Sequence, residues 1–162
     1  ENVGELKESS KVEQSFVCEH NGLRAVKIAV SDLGFSSDAE YHWQLREAGL
    51  GNIVAEGKLK SKDINNSEKT IFSFDMQKNS KNKKYSFVLE AEGRDVEHGI
   101  TVMKTKPAKG QRENIVVNGV SEEQSIVLSQ EIHYLNIETG IIFVGIYLYL
   151  MFFMRFLLKI FK

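Results

Sequence analysis

The chain closes on GIIFVGIYLYLMFFMRFLLKIFK, Gly140 to Lys162, and no other stretch limits its folding choices so strongly. Ile141 to Met154 carries no charged side chain, and counting on to Phe161 gives 21 residues. At ~1.5 Å per residue that is about 31 Å of helix. A bilayer's hydrocarbon is about 30 Å thick and takes about 20 apolar residues to cross. Apolar side chains fall on every side of such a helix. No polar stripe remains to face water, as an amphipathic core helix or an interfacial helix would need. The sequence therefore predicts a transmembrane helix within 137–162. Ile141, Phe143, Tyr147 and Phe152 would meet lipid, and Arg155 and Lys159 would snorkel to the headgroups at one end. Tyr147 and Tyr149 lie deeper than an aromatic belt would set them.

Charge then predicts orientation. Arg155, Lys159 and Lys162 crowd the C-terminal end, whereas Glu131 and Glu138 precede the apolar run. The positive-inside rule puts the C-terminus in the cytoplasm and residues 1 to about 138 outside. Export needs a signal, so a chain that starts at Glu1 reads as a trimmed product, or as part of a longer polytopic protein.

The part before the helix is long enough for one domain with its own core. All 22 acids lie in residues 1–138, with 18 of the 21 Lys and Arg, so the formal charge there is 18 − 22 = −4. That balance argues against nucleic acid as a partner and against an electrostatic grip on anionic lipid. Cys18 is the single cysteine, so no disulfide can form within the chain. Many exported animal domains of this size carry one, and bacterial exported domains commonly do not. Asn65-Asn66-Ser67 fits the glycosylation sequon, a short pattern that recurs by chance. Pro107 is the only proline, so no proline-rich linker divides the domain.

Residues 1–10 are polar and read as a flexible N-terminus. Alternating hydrophobicity then predicts strands at 12–18, 23–30, 41–47, 53–59, 69–76, 85–92, 99–104 and 114–119, and one or two more within 125–136. In 41–47, Tyr41, Trp43 and Leu45 alternate with His42, Gln44 and Arg46. In 85–92, Tyr85, Phe87, Leu89 and Ala91 face away from Ser86, Val88, Glu90 and Glu92. AGLGN (48–52) has the chemistry of a hairpin turn. About nine short strands with no helix before residue 137 predict an all-β fold. It is an antiparallel β-sandwich or jelly roll over 11–136, followed by a single transmembrane helix.

Several features carry a family resemblance: Gln14-x-Phe16, Leu23-x-x-Val26-x-Ile28-x-Val30, Trp43-x-Leu45-Arg46-Glu47 with its glycine turn, and Phe72-x-Phe74. The series Ser80-Lys81-Asn82-Lys83-Lys84-Tyr85-x-Phe87-x-Leu89-x-Ala91 follows, then Gly99-Ile100-x-Val102 and Val117-Asn118-Gly119. Taken together this resembles the jelly-roll, carbohydrate-binding-module-like domains on the outside of bacterial envelope membrane proteins, such as polytopic glycosyltransferases and polysaccharide polymerases. The resemblance covers roughly residues 12 to 135. It implies a fold and an extracytoplasmic setting, and it transfers no catalytic residue.

Trp43 and Tyr41 fit either a sugar-stacking platform or, from their alternation with Leu45, the core. The opposite face of that strand projects His42, Gln44 and Arg46, with Arg24 and Lys27 expected on a neighbouring strand. Ser86, Glu90, Thr101 and Met103 would join if their strands share the sheet. Planar polar side chains on one face suit sugar hydroxyls, and they equally suit a solvated sheet surface. His20, His42, His98 and His133 have no ligand spacing, so no metal site is expected. Asp32, Asp38 and Asp63 lie in loops where a structural calcium would be the one cofactor to consider. Glu47, Glu56, Glu90 and Glu92 offer carboxylate pairs of the kind a glycosidase uses, without a motif that singles any out. KNSKNKK (78–84) reads as a soluble hairpin turn rather than a teichoic-acid or lipid contact. The expectation is a non-catalytic, membrane-anchored module that binds or positions envelope glycan. A docking domain of a larger membrane complex and a glycan-active enzyme stand as alternatives. The partners would be the lipid bilayer, with envelope polysaccharide or a membrane protein.

Overall fold

In a computed structural model of the chain, residues 1–7, 9–35, 37–49, 51–92, 97–106, 114–133 and 137–161 are described. They form thirteen strands, one 3-10 turn at Ser61–Asp63 and one helix, α1 (Ile137–Ile160). The expected loop around Pro107, the junction at 134–136 and Lys162 lie outside the described residues.

One layer is a six-stranded antiparallel sheet. It contains β1 (Lys11–Val17), β4 (Glu40–Glu47), β5 (Ile53–Lys60), β7 (Lys84–Glu92), β10 (Ile115–Val117) and β11 (Val120–Glu122), in the order β11-β10-β1-β7-β4-β5. The second layer holds β2 (Leu23–Ile28) and β3 (Val30–Ser31), β6 (Thr70–Gln77), β8 (Thr101–Val102) and β9 (Lys104–Thr105), and β12 (Ser125–Ile126) and β13 (Leu128–Ile132). Here β13-β2-β6 run side by side, while β3 pairs with β8 and β9 with β12. Apart from the hairpins β4–β5 and β10–β11 and the short steps β2–β3, β8–β9 and β12–β13 within the second layer, successive strands of the domain lie in opposite layers. The antiparallel β-sandwich expected from the alternation is therefore present, and so is the apolar helix behind it.

The strand count exceeds nine for two reasons. The three-residue β11 was not foreseen, and three long strands each break once. The breaks fall at Ala29, Met103 and Val127, which close a ring of backbone hydrogen bonds. Ala29 N–H donates to Val127 O (3.2 Å), Val127 N–H to Met103 O (2.9 Å), and Met103 N–H to Ala29 O (2.9 Å). Each strand thus changes partners at the ring, and the N–H and C=O of all three junction residues stay paired.

The core is what the two inner faces share. Val12, Gln14 and Phe16 of β1, Tyr41, Trp43 and Leu45 of β4, and Tyr85, Phe87, Leu89 and Ala91 of β7 are buried from one side. Val26, Ile28, Val30, Phe72, Val102 and Ile126 meet them from the other. Trp43 decides between core and sugar platform. It is 8% exposed, and its ring lies 5.6 Å from Phe72 and 6.3 Å from Phe87. It is a core residue. Its cross-strand partner is Gly57, where an added Cβ would sit 2.8 Å from the indole nitrogen, so the indole occupies the room that glycine leaves.

The N-terminal segment is docked rather than loose. Val3 N–H donates to Val102 O (3.0 Å) and Leu6 N–H to Ile100 O (2.7 Å). Leu6 is buried, and the Tyr41 hydroxyl beneath it accepts from Ile100 N–H at 3.0 Å. Gly99 permits the approach, because a Cβ there would lie 2.3 Å from Leu6 O. The turn at 78–84 also differs from expectation. Since β6 and β7 belong to different layers, it is a crossover between sheets and not a hairpin tip.

Candidate functional site

The six-stranded sheet has an outer face built from the outward positions of β1, β7, β4 and β5. Antiparallel register sets the rows. His42 lies opposite Glu90 on one side and Lys58 on the other, Gln44 opposite Val88 and Glu56, and Arg46 opposite Ser86. Glu13 of β1 continues the middle row beside Val88. The structure thus brings His42, Gln44 and Arg46 together with Ser86 and Glu90, as the alternation implied. Glu13 was missed, because its outward position was legible while the pairing of β1 with β7 was not.

Arg24 and Lys27 do not belong to this face. They sit on β2 in the other layer, where both pair with Glu131 of β13, Lys27 Nζ at 2.6 Å. The Lys27 and Arg24 hydrogen bonds hold the Glu131 carboxyl below its usual range. Thr101 and Met103 are also elsewhere. Thr101 is buried and its hydroxyl donates to Gly4 O (2.8 Å), and Met103 is part of the strand-break ring.

Within the face the polar groups orient one another. Arg46 Nε donates to Gln44 Oε1 (3.0 Å), and Gln44 Nε2 donates to Glu56 Oε2 (3.1 Å). His42 Nε2 is 3.5 Å from the same Glu56 carboxylate. The Ser86 hydroxyl donates to Glu13 Oε1 at 2.6 Å. Burial pushes the Glu13 carboxyl up, but the Ser86 hydroxyl and the Lys11 ammonium outweigh it and leave it below the usual value. Lys58 bridges Glu92 (2.7 Å) and Glu40 (3.2 Å) at the rim, which lowers Glu40. The result is a set of planar amide, guanidinium, imidazole and carboxylate groups whose directions are fixed before any ligand arrives. Such an array can pair donors and acceptors with vicinal hydroxyls.

The acids weighed for calcium are engaged separately. Asp32 accepts from Asn66 and from Gly34 N–H (2.9 Å), which together lower its pKa, and Asp38 pairs with Lys62 at 2.7 Å. Asp63 sits in the 3-10 turn. Among the described residues, no three His, Cys, Asp or Glu side chains converge as a metal site.

In α1, Gly140–Ile160 is long and apolar enough to cross a membrane, and none of its most apolar window is buried. Ile141, Phe143, Tyr147 and Phe152 are each more than 60% exposed, and Arg155 and Lys159 are exposed as well. No protein-family profile matches the chain, and no curated protein matches it either.

Proposed function

We propose that this chain is a non-catalytic module, anchored by α1 with its β-sandwich on the outer side of a bacterial membrane and its basic end in the cytoplasm, which binds envelope glycan on the outer face of the six-stranded sheet. One observation carries the reading: His42, Gln44 and Arg46 stand on one strand, with Arg46 donating to Gln44, Gln44 donating to Glu56 of β5, and His42 lying 3.5 Å from the same Glu56 carboxylate. Pre-oriented planar polar groups lose little entropy on engaging hydroxyls. Attachment to the membrane raises the local concentration of ligand, so a weak site suffices. The jelly-roll resemblance agrees with this setting.

The test is binding of the full chain, held in nanodiscs, to an array of bacterial envelope glycans. The reading expects a hit that His42→Ala or Arg46→Ala weakens at least tenfold while the Tm holds. A blank from folded protein would sink it. One observation favours a second reading, docking to a membrane partner. Among the described residues, strands β5 and β6 each pair on one side only, and they expose Ile53 (51%) and Ile71 (55%) beside those edges. Sheet edges of that kind accept another chain's strand.

A further inference from the structure

The end of the sandwich from which the chain runs to α1 holds a cleft of about 530 Å³. It is lined by His20, Asn21 and Gly22 of the β1–β2 turn, Met76, Lys78 and Lys81 of β6 and the crossover behind it, and His133 just past β13. Residues 1–138 carry a formal −4 (18 − 22), yet among the described residues this lining has two ammonium groups, two imidazoles, one amide and no carboxylate.

The backbone fixes its shape. Ser80 is fully buried, and its hydroxyl donates to His20 O (2.9 Å) while accepting from Leu23 N–H (3.1 Å). Lys81 N–H donates to Asn21 Oδ1 (3.0 Å), Gly22 N–H to Gln77 O (3.1 Å), and His133 N–H to Gly22 O (2.8 Å). Gly22 has φ +88°, and a Cβ there would lie 2.6 Å from His133 O, so no other residue lets the turn and the strand end close. Two turns and the end of β13 are thereby locked around one opening.

Chain length limits how far this cleft can be from the membrane. His133 and Ile137 are four positions apart, which spans at most about 14 Å of extended chain. Three further helical residues to Gly140 add about 5 Å. By contrast, the other end of β2–β3 lies about nine strand residues, roughly 30 Å, from the cleft.

We infer that this cleft binds the phosphate of an anionic lipid headgroup in the membrane that α1 enters. Lys78 and Lys81 supply the charge, the imidazoles and Asn21 supply directed donors, and Met76 offers an apolar wall to the glycerol end. A lipid is favoured over free phosphate because the tether presents headgroups at high local concentration. The inference rests on the membrane-anchor reading of α1 and is independent of the sheet face.

The test uses the full chain and keeps those two readings apart. Flotation with pure phosphatidylcholine vesicles reports the anchor alone. Native mass spectrometry of chain released from nanodiscs of mixed phosphatidylcholine and phosphatidic acid then reports headgroup choice. We expect flotation in both cases and selective retention of phosphatidic acid, weakened roughly 30-fold in Lys78→Gln/Lys81→Gln. Lys58→Gln/Lys60→Gln, the same charge change on the sheet face, should retain it. Equal loss in both double variants would reduce the effect to net charge and overturn the site. No selective retention by a chain that floats would overturn the cleft while leaving the anchor standing. Displacement by equimolar inorganic phosphate would make it a free-phosphate site and overturn the lipid. A chain that does not float overturns anchor and lipid site together.

Discussion

Phe87 and Phe152 are the same residue in two regions that solve opposite problems. Phe87 of the sandwich is 2% exposed, packed between Trp43 and Phe72, whereas Phe152 of α1 is 63% exposed. Almost every apolar residue of the six-stranded sheet's inner face is hidden, and almost every side chain of the helix from Gly140 on is not. In water the second arrangement would be heavily penalised, since burying apolar area is the main term that stabilises a fold. One chain therefore carries a sandwich that hides its apolar residues and a helix long and apolar enough to cross a membrane. The sandwich needs specific partners for its polar groups and a fitted core. The helix satisfies its backbone internally and needs only hydrocarbon around it.

The largest expected effect breaks the helix side of that contrast. Charge at the middle of the span, as in Ile146→Lys/Leu150→Lys, costs about 2.5–3.5 kcal/mol per residue on insertion. We expect the full chain to move from the membrane pellet to the soluble or aggregated fraction after carbonate extraction, while the same charges leave the sandwich's near-UV circular dichroism intact. Unchanged membrane retention would contradict the assignment of α1 to hydrocarbon. Next comes the sandwich side. Phe87→Ala removes the ring that Trp43 and Phe72 share and should cost about 3–5 kcal/mol in urea unfolding, without altering membrane retention.

A smaller effect probes the docked N-terminus. Tyr41→Phe keeps the packing but leaves Ile100 N–H without its acceptor at 3.0 Å in a buried site. We expect a loss of about 1–3 kcal/mol. Faster hydrogen exchange should appear along residues 1–6 and 100–104 and not in β4 itself. A global change in exchange with no local focus would mean that Tyr41 acts only by packing.

What could be read in advance divides along the same line as these effects. The helix was legible because 21 consecutive residues repeat one instruction, and Tyr41-Trp43-Leu45 and Phe87-Leu89 were legible because a strand's faces alternate within a few positions. Which strands become neighbours is set by contacts distant in sequence. Glu13 therefore went unnoticed as a member of the polar face, and Arg24 and Lys27 were assigned to a face they do not share. The ring of Ala29, Met103 and Val127 joins three residues separated by up to 98 positions (127 − 29), and nothing in their side chains announces it. In ENVGEL, polar flanks suggested a loose end, although Leu6 finds a buried seat that only Gly99 and Tyr41 make available. KNSKNKK looked like a hairpin tip because its composition suits one. Its role as a crossover beside His20 and His133 depends on which layer each flanking strand joins.

Acid should separate the two regions with the gentlest perturbation. The carboxyls of Asp32 and Glu13 titrate below their usual values of 3.8 and 4.5, Asp32 mainly through Asn66, Glu13 through Ser86 and Lys11 against the pull of burial. A lowered folded-state pKa adds stability that is fully present above the unfolded value and is lost as pH falls through the folded one. The urea midpoint of the sandwich should therefore hold from about pH 7 down to roughly 4.5 and then decline toward about pH 3. The Ile141–Phe161 span contains no Asp, Glu or His, so its helical signal and its membrane retention should stay level over the same range. Glu13→Gln can keep a partner for the Ser86 hydroxyl and removes one titrating group, so its decline should be slightly shallower than that of the parent chain. A midpoint that falls already near neutral pH would contradict control by these carboxyls. A helix signal lost in step with the sandwich would mean that the two regions do not answer to separate solvents after all.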